Sequence, residues 1–159
     1  MSGNTHIYRS TTVWTGATDG PTKDYKSYSR AHDLRMDGKP DLPGSADPGF
    51  RGDPARHNPE DLMVGALSSC HMLWYLHLCS VKGVQVIAYE DPAEGTMVEE
   101  PGNGRFTEVV LRPVVTITPD SDADRARELH KRAHDECFIA NSVNFPVRCE
   151  PEIRLVADA

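Results

Sequence analysis

Between Asn58 and Gly83 apolar side chains recur at spacings of three and four. Met63, Ala66, Cys70, Leu73 and His77 fall on one stripe, while Leu67, Trp74, Leu76 and Leu78 leave little polar surface elsewhere. The start signals agree with a helix. Asn58 is a good cap, Pro59 suits the first turn, and Glu60 and Asp61 set negative charge against the positive helix end. Gly83 supplies the stop, so the pattern predicts a helix running to about Lys82. Such a helix is expected to be buried nearly all round, covered by a sheet on one side and by a partner subunit on the other.

Upstream, His6 to Trp14, Asp24 to Arg30 and His32 to Met36 alternate short strand-like pieces with turns, Asp37-Gly38 among them, which predicts an antiparallel meander. The stretch KPDLPGSADPGFRGDPARHNP is dense in Pro, Gly and Asp and reads as one long functional loop. Downstream, VQVIAYEDPAEGTMVEE and GRFTEVVLRPVVTITP are two long β-rich runs around Pro101-Gly102-Asn103-Gly104, the pattern of a hairpin. A second helix is predicted from about Asp122 to Glu136, with Ala126, Leu129 and Ala133 inside, and a last strand around Arg148 to Val156. Strands, helix, two strands, helix and strand make an α+β plan, read as a single domain over residues 1–159.

Composition narrows the classes. A net charge of −7 without any Lys/Arg block argues against nucleic acid and anionic membranes as partners. The N-terminus MSGNTHIYRSTTVW lacks the apolar core of a signal peptide, and no stretch reads as a membrane span, so a cytoplasmic location is expected. There, thiols are kept reduced, and the four cysteines need an explanation other than a disulfide scaffold.

Packing, redox chemistry and metal binding compete for those cysteines. Cys70 lies mid-helix in SSCHMLWYLHLC, where a thiol in apolar surroundings packs as a small hydrophobe. Cys137 follows Asp135 and Glu136, whose charge opposes thiolate formation. His130, His134 and Cys137 have i, i+4, i+7 spacing and offer an alternative, a metal site on one helical face. Cys79 and Cys149 have no partner motif and read as structural thiols, and His71, His77, His130 and His134 read as core or surface residues.

Two segments carry more. NPEDLMVGALSSCHMLWYLHLC resembles the central helix of the OsmC/Ohr family, in which an Asn-Pro-Glu start is followed, ten residues after the Glu, by the peroxidatic Cys. AHDECFIANSVNFPV resembles that family's second signature, which holds the resolving Cys. The resemblance implies antiparallel sheets around a long buried central helix in an intertwined homodimer. It also implies a thiol peroxidase acting on organic hydroperoxides, and in some members on hydrogen peroxide, with Cys70 as nucleophile, Cys137 as resolving thiol, and Glu60 holding an arginine beside Cys70. An external dithiol, in some members a lipoylated protein, would restore the pair. No cofactor and no metal is implied.

The arginine is read as Arg51, between Gly49 and Gly52, with Arg56, Arg30 and Arg35 as alternatives. Leu67, Met72, Trp74, Phe50 and Phe138 are candidates for an apolar pocket, or ordinary core. The helix rise adds a constraint. Ten residues separate Glu60 from Cys70 by roughly 15 Å along the axis, so the carboxylate is expected to reach Cys70 from a second subunit or to act through the arginine. The remaining alternative is a non-catalytic module binding an apolar ligand on the same fold.

Overall fold

The computed structural model describes residues 3–156. The chain forms two compact units, Met1–Leu62 and Met63–Ala159. In the first, β1 (Thr11–Trp14), β2 (His32–Arg35) and β3 (Leu42–Gly44) form an antiparallel sheet in that order. The strand expected over Asp24 to Arg30 is absent. There the Arg30 guanidinium covers the Tyr25 and Tyr28 rings, 4.6 and 4.1 Å from their centroids, and donates to both carbonyls at 2.6 Å. That curls the segment into turns. Conversely, β3 lies inside the stretch read as loop, tolerating Pro43 because an edge strand need not donate from every residue.

α1 (Pro59–Lys82) has the predicted bounds. The Asn58 side chain accepts from the Asp61 amide at 2.7 Å, and Gly83 takes the left-handed conformation, φ 75°, that ends the helix. Its apolar surface divides otherwise than expected. Leu67, His71, Tyr75, Leu78 and Cys79 form the buried stripe, whereas Met63, Leu73 and Val81 are exposed, Leu73 by 64%. In the single chain the helix is therefore covered on one side. By length and mean hydropathy, 1.3, α1 would also qualify as a membrane span, contrary to the sequence expectation, but its buried stripe is committed to the core.

The two long β runs each break in two. β4 (Val86–Glu90) and β5 (Glu94–Glu100) face β7 (Val114–Ile117) and β6 (Asn103–Leu111), with Gly102 at φ 77° in the hairpin turn. The register continues across the break, Glu90 opposite Val114 and Glu94 opposite Val110. The C-terminal run divides likewise into β8 (Val147–Cys149), parallel to β6, and β9 (Glu152–Leu155), parallel to β7. Pro92, Pro113 and Pro151 fall in the three gaps, each removing a backbone donor, so one three-stranded ribbon becomes two sheets, β4-β7-β9 and β5-β6-β8. Asp91 pins the break. One of its oxygens accepts from the Arg112 amide at 2.7 Å, and the other from the Ser68 hydroxyl of α1 at 2.5 Å.

α2 (Ala123–Glu136) is capped by Asp122, which accepts from the Asp124 and Arg125 amides at 3.0 Å. Its inner residues Ala126, Leu129 and Ala133 join Tyr75, Leu78, Val115 and Ile117 in the larger core cluster, while Leu67, Val109 and Leu111 form a second. Fully burying a side chain such as Leu67 is worth about 1.5–3 kcal/mol. This α+β arrangement around a long helix agrees with the fold class expected.

Candidate functional site

Cys70 sits halfway along α1, on the face turned from the core, and is partly exposed. Cys137 follows the last turn of α2, where its backbone has turned to an extended conformation (φ −70°, ψ 110°) and its amide still donates to the His134 carbonyl. The segment after it is tied down. Asn141 donates from its amide to the Cys137 carbonyl at 3.0 Å and from its side chain to the Asp135 carbonyl at 2.9 Å, and the Ser142 hydroxyl donates to the Phe138 carbonyl at 2.7 Å. These bonds hold a buried thiol at a fixed position.

The two thiols adjoin, both as free cysteines. Burial pushes the Cys137 thiol up to about 11, and the neighbouring Cys70 sulfur adds to the rise, against backbone amides of Ala140 and Ile139 that oppose it. The expected influence of Asp135 and Glu136 is not among the causes. At neutral pH Cys137 therefore keeps its proton. Cys70 opens onto an apolar cleft of about 330 Å³ lined by Leu73, Trp74, His77 and Phe138. Trp74 meets Phe138 edge-on at 5.4 Å, which fixes the cleft wall. Of the pocket residues read from the sequence, Trp74 and Phe138 line this cleft. Leu67 is core, and Phe50 belongs to the first unit.

Glu60 and Arg51 lie in the first unit, and the structure does not pair them with each other. Each is left with unused capacity. Oε2 of Glu60 is buried with no hydrogen-bond partner, at the edge of a recess shared with Arg30, His32 and Phe50. Arg51 is the one non-glycine among the described residues at positive φ, 66°, a conformation that costs an ordinary side chain roughly 1–2 kcal/mol. Gly52 makes that turn possible, since a Cβ there would lie 1.6 Å from the Ala46 carbonyl oxygen. The alternative cations are occupied: Arg30 by Tyr25 and Tyr28, Arg35 by Asp33 and Asp41, Arg56 by Asp33 and Asp53. Among the described residues Arg51 makes no ion pair.

The metal alternative does not assemble as expected. Among the described residues His130, His134 and Cys137 form no ligand cluster, because Cys137 leaves the helical path and adjoins Cys70, while His130 turns inward. His130 instead meets His71 and Cys149, a grouping that sequence spacing could not reveal, since the three come from α1, α2 and β8.

Comparison with known families matches residues 52–152 to the family described as OsmC-like protein. Among solved structures, an OsmC-like protein of unknown function from Vibrio cholerae O1 biovar eltor is similar, with a TM-score of 0.84 and 34% identity over 92% of this chain and 99% of that one. An organic hydroperoxide resistance protein from Elizabethkingia anophelis has a TM-score of 0.69 at 16% identity, covering 98% of this chain and 100% of its own. One from Bacillus subtilis has a TM-score of 0.60 at 19% identity, covering 94% and 98%. These last two share the fold. No curated protein gives a significant match.

Proposed function

Since the chain belongs to the OsmC-like family, we propose that it is a thiol peroxidase in which Cys70 reduces an organic hydroperoxide and Cys137 resolves the product. The observation that carries this reading is the pair of adjoining free thiols at the mouth of an apolar cleft, one partly exposed and one buried. The Cys70 thiolate attacks the distal peroxide oxygen, the O–O bond breaks, the hydroxyl stays on sulfur as the sulfenic acid, and the alkoxide takes a proton from solvent and leaves as the alcohol. The sulfenic acid at Cys70 then condenses with the Cys137 thiol. A disulfide forms, and the sulfenic oxygen departs as water with the Cys137 proton. An external dithiol, such as a lipoylated protein, reduces the disulfide by exchange.

An arginine beside Cys70 would align the peroxide and stabilise the charge that develops on it, and Arg51 is the one of the four considered that has no partner among the described residues. The roughly 15 Å of helix between Glu60 and Cys70 supports a homodimer in which the partner subunit's Glu60 and the partner subunit's Arg51 complete each site. The exposed apolar face of α1, Met63, Leu73 and Val81, supports such an assembly. Turnover of cumene hydroperoxide with dihydrolipoamide, faster than turnover of hydrogen peroxide and carried by the dimer fraction in gel filtration, is the expected result. Absence of turnover with every dithiol and peroxide pair would sink the reading.

A further inference from the structure

At the level of the proline break, on the core side of α1, three potential ligand atoms converge. Nε2 of His71 lies 3.0 Å from Nδ1 of His130, and Sγ of Cys149 lies 3.6 Å from the first and 3.9 Å from the second. Both rings are buried, at 0% and 2% exposure, and Cys149 is partly so. Tyr75 stacks on the His130 ring, centroids 3.8 Å apart and planes 11° from parallel, and so fixes its orientation.

A hydrogen bond between the two rings accounts for one of these contacts. It does not account for the sulfur, which lies within reach of both rings. The two rings now face each other nearly in line, centroids 5.3 Å apart and planes 5° from parallel, and a small tilt of each toward the sulfur lets the triangle fit another occupant. Around a tetrahedral zinc ion, bonds of about 2.0–2.1 Å to nitrogen and about 2.3 Å to sulfur set the N···N edge near 3.3 Å and the N···S edges near 3.6 Å. The observed edges lie within a few tenths of an ångström of these.

We propose that His71, His130 and Cys149 form a binding site for a zinc-class divalent transition-metal ion, distinct from the Cys70–Cys137 pair, in which three protein ligands leave a fourth position for water. Nitrogen and thiolate donors select this class over magnesium or calcium, which require oxygen. Binding is balanced simply. Cys149 loses its thiol proton to solvent, and one ring changes tautomer, so that both inward nitrogens present lone pairs while the protons sit on His71 Nδ1 and His130 Nε2. Burial already keeps both rings uncharged, as ligands must be, holding His71 at about 4 and His130 at about 3. The Cys149 thiol, pushed up to about 12 by burial and then by Asp91 and Glu150, is the group the metal must deprotonate. The ion would join α1, α2 and β8 at the point where the ribbon is broken, so its main effect is on stability.

The test is cobalt substitution in the full-length protein, metal-stripped and kept reduced with a phosphine. One Co2+ per chain should give the strong visible bands of tetrahedral geometry and a near-ultraviolet thiolate charge-transfer band, bleached by an equivalent of Zn2+. The charge-transfer band should vanish in Cys149→Ala, weaken at least tenfold in apparent affinity in His130→Gln, and survive in Cys70→Ser/Cys137→Ser. X-ray absorption of zinc-loaded wild-type protein, which needs no variant, should show one sulfur and two imidazoles. Lack of stoichiometric Co2+ binding, a band lost with Cys70 and Cys137, or a two-sulfur shell would each overturn the assignment.

Discussion

Adjacent residues of α1 enter opposite chemistries. Cys70 faces the open cleft and adjoins Cys137, whereas His71 faces the core and meets His130 and Cys149. Successive side chains on a helix point about 100° apart, so one step along the chain crosses from a solvent-reachable surface to a dry interior. The first region has what a redox couple requires: access for a substrate, a neighbouring thiol and an apolar wall. The second has convergent donors, two buried imidazoles and a partly buried thiol. The chemistry open to a residue of α1 is therefore decided by the face it occupies, since Cys70 and His71 share the same neighbours in sequence.

The largest effect expected from disturbing this contrast is on the cleft side. Cys70→Ser should lower peroxidase turnover by about a thousandfold or more, measured with cumene hydroperoxide and a dithiol, while the melting temperature stays near that of the parent. Cys137→Ser should separate the two half-reactions. A single turnover proceeds at the parent rate in rapid mixing and leaves a dimedone-reactive sulfenic acid at Cys70, but steady-state turnover falls by more than an order of magnitude.

Acidification acts on the core side. Both rings hold their folded values, about 4 and about 3, below the ordinary 6.5, so the unfolded chain binds protons that the folded chain refuses. Stability is complete above pH 6.5 and falls as pH drops from there toward 4, by at most about 1.4 kcal/mol per pH unit for each ring. Urea midpoints of the metal-stripped protein across that window measure it, and His130→Gln should make the dependence shallower. Last and smallest, Asn58→Ala should cost about 1 kcal/mol through the lost cap of the helix that carries both regions, seen as a lower urea midpoint with unchanged slope.

How far the sequence revealed these regions follows from the range of the interactions. α1 and α2 were legible to the residue or nearly so, because Asn58, Gly83 and Asp122 act locally. The turns over 24–30 were not, because Arg30 stacking on two tyrosines overrides a strand-like pattern. The prolines that break the ribbon were visible singly, but only the register places Pro92, Pro113 and Pro151 at one level. Likewise Cys70 and Cys137 are marked in the sequence only by two segments that resemble family signatures. Cys149 and His71 lie 78 positions apart and carry no local signal, so their meeting needed the fold. The stripe through Cys70, Leu73 and His77 is apolar in the main, yet it is the uncovered face, since spacing alone does not say which apolar side meets the sheet.

The proposed function stands or falls with Cys70 and Cys137 forming one redox couple. Reduced protein treated with one equivalent of cumene hydroperoxide, quenched in acid and mapped by peptide mass spectrometry, tests it directly. The account predicts a Cys70–Cys137 disulfide in nearly every chain, with Cys79 and Cys149 still thiols. Cys70 recovered unmodified, or joined to any other cysteine, would contradict it.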